Sequence, residues 1–163
     1  MRYLVIGLES GATRILSKMI AFNLGLTKEV DDWDGYDIIN DDNNLVCHKS
    51  LPHGVENNFI DFDFANTFDY VVLSTRDWNC SLISKVEKHE HNIIEAYNQH
   101  MTGISIMKDI LNRHKNVYVF SPETAFLLQE SYTMPLLKSL QITKPKHVRF
   151  ENTNRKYIKE LGL

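Results

Sequence analysis

The sequence lacks most features that would take it outside ordinary globular proteins. It contains only two cysteines, Cys47 and Cys80, which are too few and too far apart for a disulfide framework or a zinc-ligand pattern. We therefore expect a reducing compartment. No apolar run approaches the roughly 20 residues that span a bilayer, and the first residues do not have the pattern of a secretory leader. These absences predict a cytoplasmic protein without a membrane span.

The chain also lacks a strong charge of either sign. It has 18 basic and 21 acidic residues, for a formal net charge of −3. Nucleic-acid binding usually requires a basic face or stripe, so we expect no nucleic-acid partner, although a local pocket for a small anion remains open. The 163 residues, 43% of them hydrophobic, predict a single domain over residues 1–163 with its own core.

Short apolar runs, which are typical of strands, alternate with stretches in which apolar residues have helical spacing. The predicted strands are Arg2–Gly7, Leu45–His48, Asp69–Ser74 and Val117–Phe120. The predicted helices are Thr13–Leu24, a segment around Leu82–Val86, Asn92–His114, Met134–Leu140 and Asn152–Leu161. The acidic, turn-rich stretch from residue 29 to residue 44 is interpreted as a surface loop around a short element. This alternation predicts an α/β fold with three layers, α/β/α, around a mostly parallel central sheet.

The first candidate site is the segment GLESGATR, which joins the first predicted strand to the first helix. Glycine lets a main chain approach a ligand closely, and the amides at a helix N-terminus favour an anion. The candidate phosphate-binding residues are Ser10, Gly11, Ala12, Thr13 and Arg14. The segment lacks the lysine and the glycine spacing of the usual nucleoside-triphosphate loop. An ordinary strand-to-helix turn with a serine cap is the alternative.

The second candidate site follows the strand DYVVLS, where Arg76 comes just after the strand and Ser84 lies about two helical turns later. An arginine and a hydroxyl can both donate to one phosphate. The alternative is that Arg76 and Asp77 only cap a helix. Near the C-terminus, Asn154–Lys156 could close over a phosphate, but we favour a charged helix face there.

Three stretches resemble motifs of the sulfotransferases, and they occur in the order of that family. GLESGATR resembles the loop that binds the 5′-phosphosulfate, and the segment from Arg76 to Ser84 resembles the 3′-phosphate motif, with the same arginine–serine interval. The stretch HKSLPH, from His48 to His53, is similar to the segment that contains the family's catalytic histidine. VYVFSPETAF lies where the family has its third strand and an acidic residue, so the resemblance touches most of the chain.

The resemblance implies a P-loop NTPase-like fold and an enzyme that transfers a sulfuryl group from 3′-phosphoadenosine 5′-phosphosulfate to a hydroxyl or amine, without a metal. The partners would be this nucleotide and an acceptor that the sequence does not identify. Ser10, Gly11, Ala12 and Thr13 would then bind the 5′-phosphosulfate, while Arg76 and Ser84 would bind the 3′-phosphate. For catalysis, His48 is the first candidate base, His53 the second, and Lys49 the candidate electrostatic stabiliser.

The sequence also departs from the family pattern. Glu9 stands where the family has a loop lysine, so the positive charge must come from elsewhere, and Arg14 and Lys49 are the candidates. Aligning Leu51 and Pro52 puts Ser50 at the family's histidine position. Two alternatives therefore stay open. One is a divergent nucleotide kinase or other phosphotransferase, which would need Mg²⁺ and a loop lysine, and the other is a nucleotide-binding module without catalysis.

Overall fold

The computed structural model describes residues 1–26, 29–32, 36–41, 43–51, 60–89, 92–152 and 154. The strands are β1 (Arg2–Leu8), β2 (Glu29–Asp32), β3 (Tyr36–Asn40), β4 (Leu45–Leu51), β5 (Tyr70–Ser74) and β6 (Val117–Phe120). The helices are α1 (Thr13–Leu24), α2 (Phe62–Ala65), α3 (Trp78–His89), α4 (Ile93–Arg113), α5 (Pro122–Leu128) and α6 (Glu130–Ser139).

The strands form one sheet in the order β2-β3-β4-β1-β5-β6. The four strands β4, β1, β5 and β6 are parallel, and β2 and β3 add an antiparallel edge. In the register, Leu8 lies opposite Leu51, and Gly7 lies opposite Ser74. The carboxyl ends of β4, β1 and β5 therefore meet at one edge of the sheet, as the prediction of a mostly parallel sheet requires.

Alternate residues of β1 pack into two hydrophobic cores, one on each face of the sheet. Tyr3 and Val5 join the core formed with α1, α5 and α6, whereas Leu4 and Ile6 join the core formed with α2 and α4. Side chains on successive strand residues point to opposite faces, which is why a strand buried on both sides has a continuous apolar run. The α/β fold with helices on both faces is confirmed.

Several element boundaries differ from the predictions. Residues 29–32 and 36–40 form β2 and β3 instead of a surface loop, because β3 pairs with β4 and β2 pairs with β3, which supplies their backbone hydrogen bonds. β4 continues to Leu51 instead of ending at His48, and α6 begins at Glu130 instead of Met134. α1 has its predicted bounds, and the left-handed Gly25 caps it by donating to Ala21. Most of the helix predicted over residues 152–161 lies outside the described residues.

The strand order reverses at β1, in the middle of the sheet. From β1, the chain returns to the sheet on one side as β2, β3 and β4, and then crosses to the other side as β5. In open α/β sheets, ligands bind at such a reversal of strand order, beyond the carboxyl ends of the strands. Among the described helices, none combines the length and apolar composition that a membrane span needs.

Candidate functional site

The loop between β1 and α1, residues Glu9 to Ala12, lies at this reversal point. Ser10 and Ala12 both have left-handed backbone conformations, with φ values of 63° and 62°. Between them, the amide of Gly11 donates to the carbonyl of Leu8 at 2.7 Å. A Cβ atom at position 11 would lie 2.5 Å from that carbonyl oxygen, so the tight turn itself requires glycine. Backbones that alternate in hand around a turn form anion-binding concavities of amide groups.

Three consecutive carbonyls of this loop accept hydrogen bonds from side chains of the β5–α3 segment. Ser81 donates to the carbonyl of Glu9 at 3.1 Å. Arg76 donates from Nη1 to the carbonyl of Ser10 at 2.7 Å, and Ser74 donates to the carbonyl of Gly11. In a planar trans peptide the N–H points opposite to the C=O. The amides of Ser10 and Ala12 are therefore turned away from β5 and α3.

The residues at the start of α1 differ in what they can offer a ligand. Ala12 is the N-cap residue of α1, and its side chain makes no capping hydrogen bond to the first amides of the helix. The hydroxyl of Thr13 is almost fully buried and lies 3.3 Å from the hydroxyl of Ser50 on β4. Arg14 is exposed on α1, and Ser10 is half-buried in the loop.

Arg76 connects the loop to the end of the described chain, as part of a polar network. Its Nε donates to Oδ1 of Asn154 at 2.6 Å, and the side-chain Nδ2 of Asn154 donates to Oε1 of Glu123 at 2.6 Å. Glu123 also accepts from the backbone amide of Asp77 at 3.0 Å. The structure thus brings Arg76 to the candidate loop, where the sequence places it, and adds Asn154 as its partner. Ser84 is fully buried on α3, one turn beyond Ser81.

The structure places two of the candidate catalytic residues, His48 and Lys49, on opposite faces of β4. His48 lies opposite Val5 in the middle of β4, and Lys49 lies opposite Ile6. Val46 belongs to the core on the α1 side and Cys47 to the core on the α4 side, so strand alternation places His48 towards α1 and Lys49 towards α4. Lys49 is almost fully buried, and this burial lowers the pKa of its ammonium group. His53 lies outside the described residues.

A buried cation, Lys85, lies beside Glu9 at the start of the loop. Nζ of Lys85 on α3 donates to Oε2 of Glu9 at 2.6 Å, with the lysine side chain 0% exposed and the glutamate side chain 16% exposed. The glutamate at the unusual loop position therefore has a buried counter-ion. The sequence contained one signal for this lysine. Ser81 and Lys85 are four residues apart, so they share one face of a helix.

His100 of α4 completes a buried polar cluster behind the loop. Its Nε2 lies 3.0 Å from Oγ of Ser81, and its Nδ1 lies 3.1 Å from the carbonyl oxygen of Ala96. A neutral imidazole has one N–H, so it can donate to Ser81 or to Ala96, whereas the imidazolium can donate to both. Burial, followed by the positive charge of Lys85, lowers the pKa of His100 from the ordinary 6.5.

No protein-family model matches this chain, and no curated protein matches it either. Within the described part of the chain, no three histidine, cysteine or acidic side chains are grouped as metal ligands would be. The loop, Arg76 and the buried cluster are therefore the features of this molecule that point to a function.

Proposed function

We propose that the protein is a sulfotransferase-like enzyme that binds 3′-phosphoadenosine 5′-phosphosulfate across the carboxyl ends of β1 and β5. The proposal includes a P-loop NTPase-like relationship for the fold and a cytoplasmic location. The observation that supports it best is the loop backbone. Side chains of the β5–α3 segment hold three loop carbonyls, so the amides of Ser10 and Ala12 are turned away from that segment at a topological reversal point.

In this proposal, the 5′-phosphosulfate lies against the loop and the N-terminus of α1. The two left-handed residues, Ser10 and Ala12, give the loop the alternating geometry of an anion-binding concavity. The first amides of the twelve-residue α1 add donors and the positive end of the helix dipole. The buried side chain of Thr13 faces β4, so its contribution comes from its backbone amide.

The 3′-phosphate is assigned to Arg76 and the N-terminal part of α3. Arg76 already lies beside the loop, with two of its nitrogens bonded to Ser10 and Asn154. A guanidinium group has five N–H donors in a fixed fork, so it can bind a phosphate while keeping a backbone contact. In the transfer step, the acceptor oxygen or nitrogen attacks sulfur, and the bond from sulfur to the 5′-phosphate oxygen breaks. A base takes the acceptor proton, and adenosine 3′,5′-bisphosphate leaves.

A nucleotide-binding module without transfer is the second candidate, because of where the candidate base lies. His48 lies in mid-strand, opposite Val5, and therefore three residues before the carboxyl end of β4. It is also directed to the opposite face from Lys49. A general base must come within hydrogen-bond reach of the proton that it removes. Unless another group takes this role, nucleotide binding would remain and transfer would be lost.

Calorimetric titration with adenosine 3′,5′-bisphosphate tests the proposal, with ATP–Mg²⁺ as the comparison ligand. We expect the bisphosphate to bind in preference to ATP–Mg²⁺, and Arg76→Ala to weaken binding by about tenfold or more because a charge-assisted bond is lost. Arg113→Ala is the matched control, since Arg113 pairs with Asp109 on the exposed surface of α4. Equal affinity of Arg76→Ala and the unmodified protein would contradict the assignment.

The same preparation separates the alternatives. Bisphosphate binding together with transfer of labelled sulfuryl groups to a hydroxyl or amine acceptor supports the enzyme. Bisphosphate binding without transfer across a broad acceptor panel supports the binding module. Preference for ATP–Mg²⁺ with nucleotide turnover moves the assignment to a phosphotransferase.

A further inference from the structure

Glu9 is held at three points by two neighbouring elements. Its backbone amide donates to the carbonyl of Leu51 at the end of β4, at 3.0 Å. Its carbonyl accepts from Ser81, and its carboxylate accepts from Lys85, both on α3. The first residue of the loop therefore has little freedom, and α3 controls both its backbone and its side chain.

The charge of Glu9 matters because of its position. A carboxylate next to Ser10 would repel any anion bound at the loop amides, and its effect grows where the surroundings exclude water. The side chain of Glu9 is only 16% exposed, and that of Lys85 is 0% exposed. Water screens such a pair weakly, so the ammonium group of Lys85 largely cancels the field of the carboxylate.

We propose that Lys85 is a positioning residue of the candidate nucleotide site, which fixes Glu9 and removes the negative charge of Glu9 from the surroundings of the bound anion. The identity of the ligand as a nucleotide rests on the proposed function, whereas the role of Lys85 in fixing the loop does not depend on it. Lys85 itself need not touch the nucleotide, because it acts through the carboxylate and backbone of Glu9.

The ligand-free test compares the unmodified protein with Lys85→Met, Lys85→Arg and the double variant Glu9→Gln/Lys85→Met. The double variant removes both charges, so it should fold even if the loss of the Lys85 charge alone prevents Lys85→Met from folding. Amide hydrogen exchange at Glu9 and Gly11, whose amides donate to the carbonyls of Leu51 and Leu8, reports on the loop. The pKa of His100, measured by NMR, reports on the local charge, because Lys85 from α3 and Glu9 from the loop both act on it.

We expect Lys85→Met to raise the pKa of His100, because a neighbouring cation is lost, and to speed loop exchange by about tenfold or more, because a structural contact is lost. Lys85→Arg should restore slow exchange. If Lys85→Met does not fold, the double variant should still exchange faster at the loop than the unmodified protein. Unchanged loop exchange and an unchanged His100 pKa in the folded variants would overturn the proposal.

The binding test uses adenosine 3′,5′-bisphosphate as the probe. Lys85→Met should weaken binding by about tenfold or more, and the double variant should recover most of this loss because the repelling charge is gone. A double variant as weak as a folded Lys85→Met would overturn the electrostatic part of the proposal. If the unmodified protein does not bind the probe, the proposed function fails, whereas the exchange and pKa measurements still decide whether Lys85 positions the loop.

Discussion

Replacing Gly7 by alanine should disturb the candidate site through the packing of β1. A Cβ atom at position 7 would lie 2.6 Å from Cγ2 of Thr13 and 2.7 Å from the carbonyl oxygen of Ser74. Gly7 and Ser74 lie opposite each other in the β1–β5 pairing, so the carbonyl cannot retreat without loosening the two strands. Thr13 is the first residue of α1, so the other contact pushes on the helix N-terminus.

The expected cost follows from these distances. Contacts this short force backbone shifts, and overpacking of a well-packed core typically costs about 1–3 kcal/mol. For a chain of this size, a loss of 1 kcal/mol lowers Tm by roughly 2–4 °C, so the variant should melt roughly 2–12 °C below the unmodified protein. Ser74 also donates to the carbonyl of Gly11, so its displacement should weaken adenosine 3′,5′-bisphosphate binding as well.

Thermal and chemical unfolding measure the first effect, and calorimetric titration measures the second. Gly103→Ala is the control, because its nearest contact would be Cδ2 of Leu8, the far end of a flexible side chain, at 2.7 Å, and its next contact, Cβ of Leu51, would be at 3.2 Å. Alanine also favours a helix over glycine by about 1 kcal/mol, so Gly103→Ala should remain within about 1 kcal/mol of the unmodified protein. A Gly7→Ala variant as stable as the unmodified protein would refute the reasoning.

Asn92→Ala should destabilise the protein by about 1 kcal/mol, because the side chain of Asn92 caps α4 by accepting from the amide of Glu95, and Asn92→Asp should retain most of that stability in chemical unfolding. His100→Gln should change how stability depends on pH. The pKa of His100 is lower in the folded state than in the unfolded state. Below about pH 6.5 the unfolded state therefore binds more protons than the folded state. The unmodified protein should accordingly lose stability as the pH falls from about 6.5 towards the folded-state pKa. The stability deficit of His100→Gln should therefore shrink between pH 7.5 and pH 5.5, and a constant deficit in urea titrations would count against a buried, neutral His100.

Local patterns in the sequence predict the features of the fold that depend on neighbouring residues. The apolar run of β1 predicts a strand buried on both faces, and the left-handed cap at Gly25 marks the end of α1. The approach of Arg76 to the loop is also predictable, because the carboxyl ends of adjacent parallel strands lie side by side. These predictions need only periodicity, caps and the geometry of parallel sheets.

Features that depend on long-range packing could not be predicted in the same way. The pairing of Lys85 with Glu9 depends on the angle at which α3 crosses the end of β1, and the sequence does not specify that angle. The predicted strand ends at His48, which puts His48 and Lys49 together at its carboxyl end, but β4 continues through both of them and directs them to opposite faces. The strand β3 forms because β4 is beside it, not because of its own pattern.

The short β5–α3 segment determines the shape of the candidate site more than the loop's own side chains do. Ser74, Arg76 and Ser81 donate to three successive loop carbonyls, and Lys85 holds the carboxylate of Glu9. The direction of the loop amides therefore depends on where β5 and α3 lie relative to β1. Arg76 is also the residue assigned to the 3′-phosphate. A bound nucleotide that displaces the guanidinium group would therefore also change its hydrogen bond to the carbonyl of Ser10. Binding at the two phosphate positions should therefore be coupled through a single side chain.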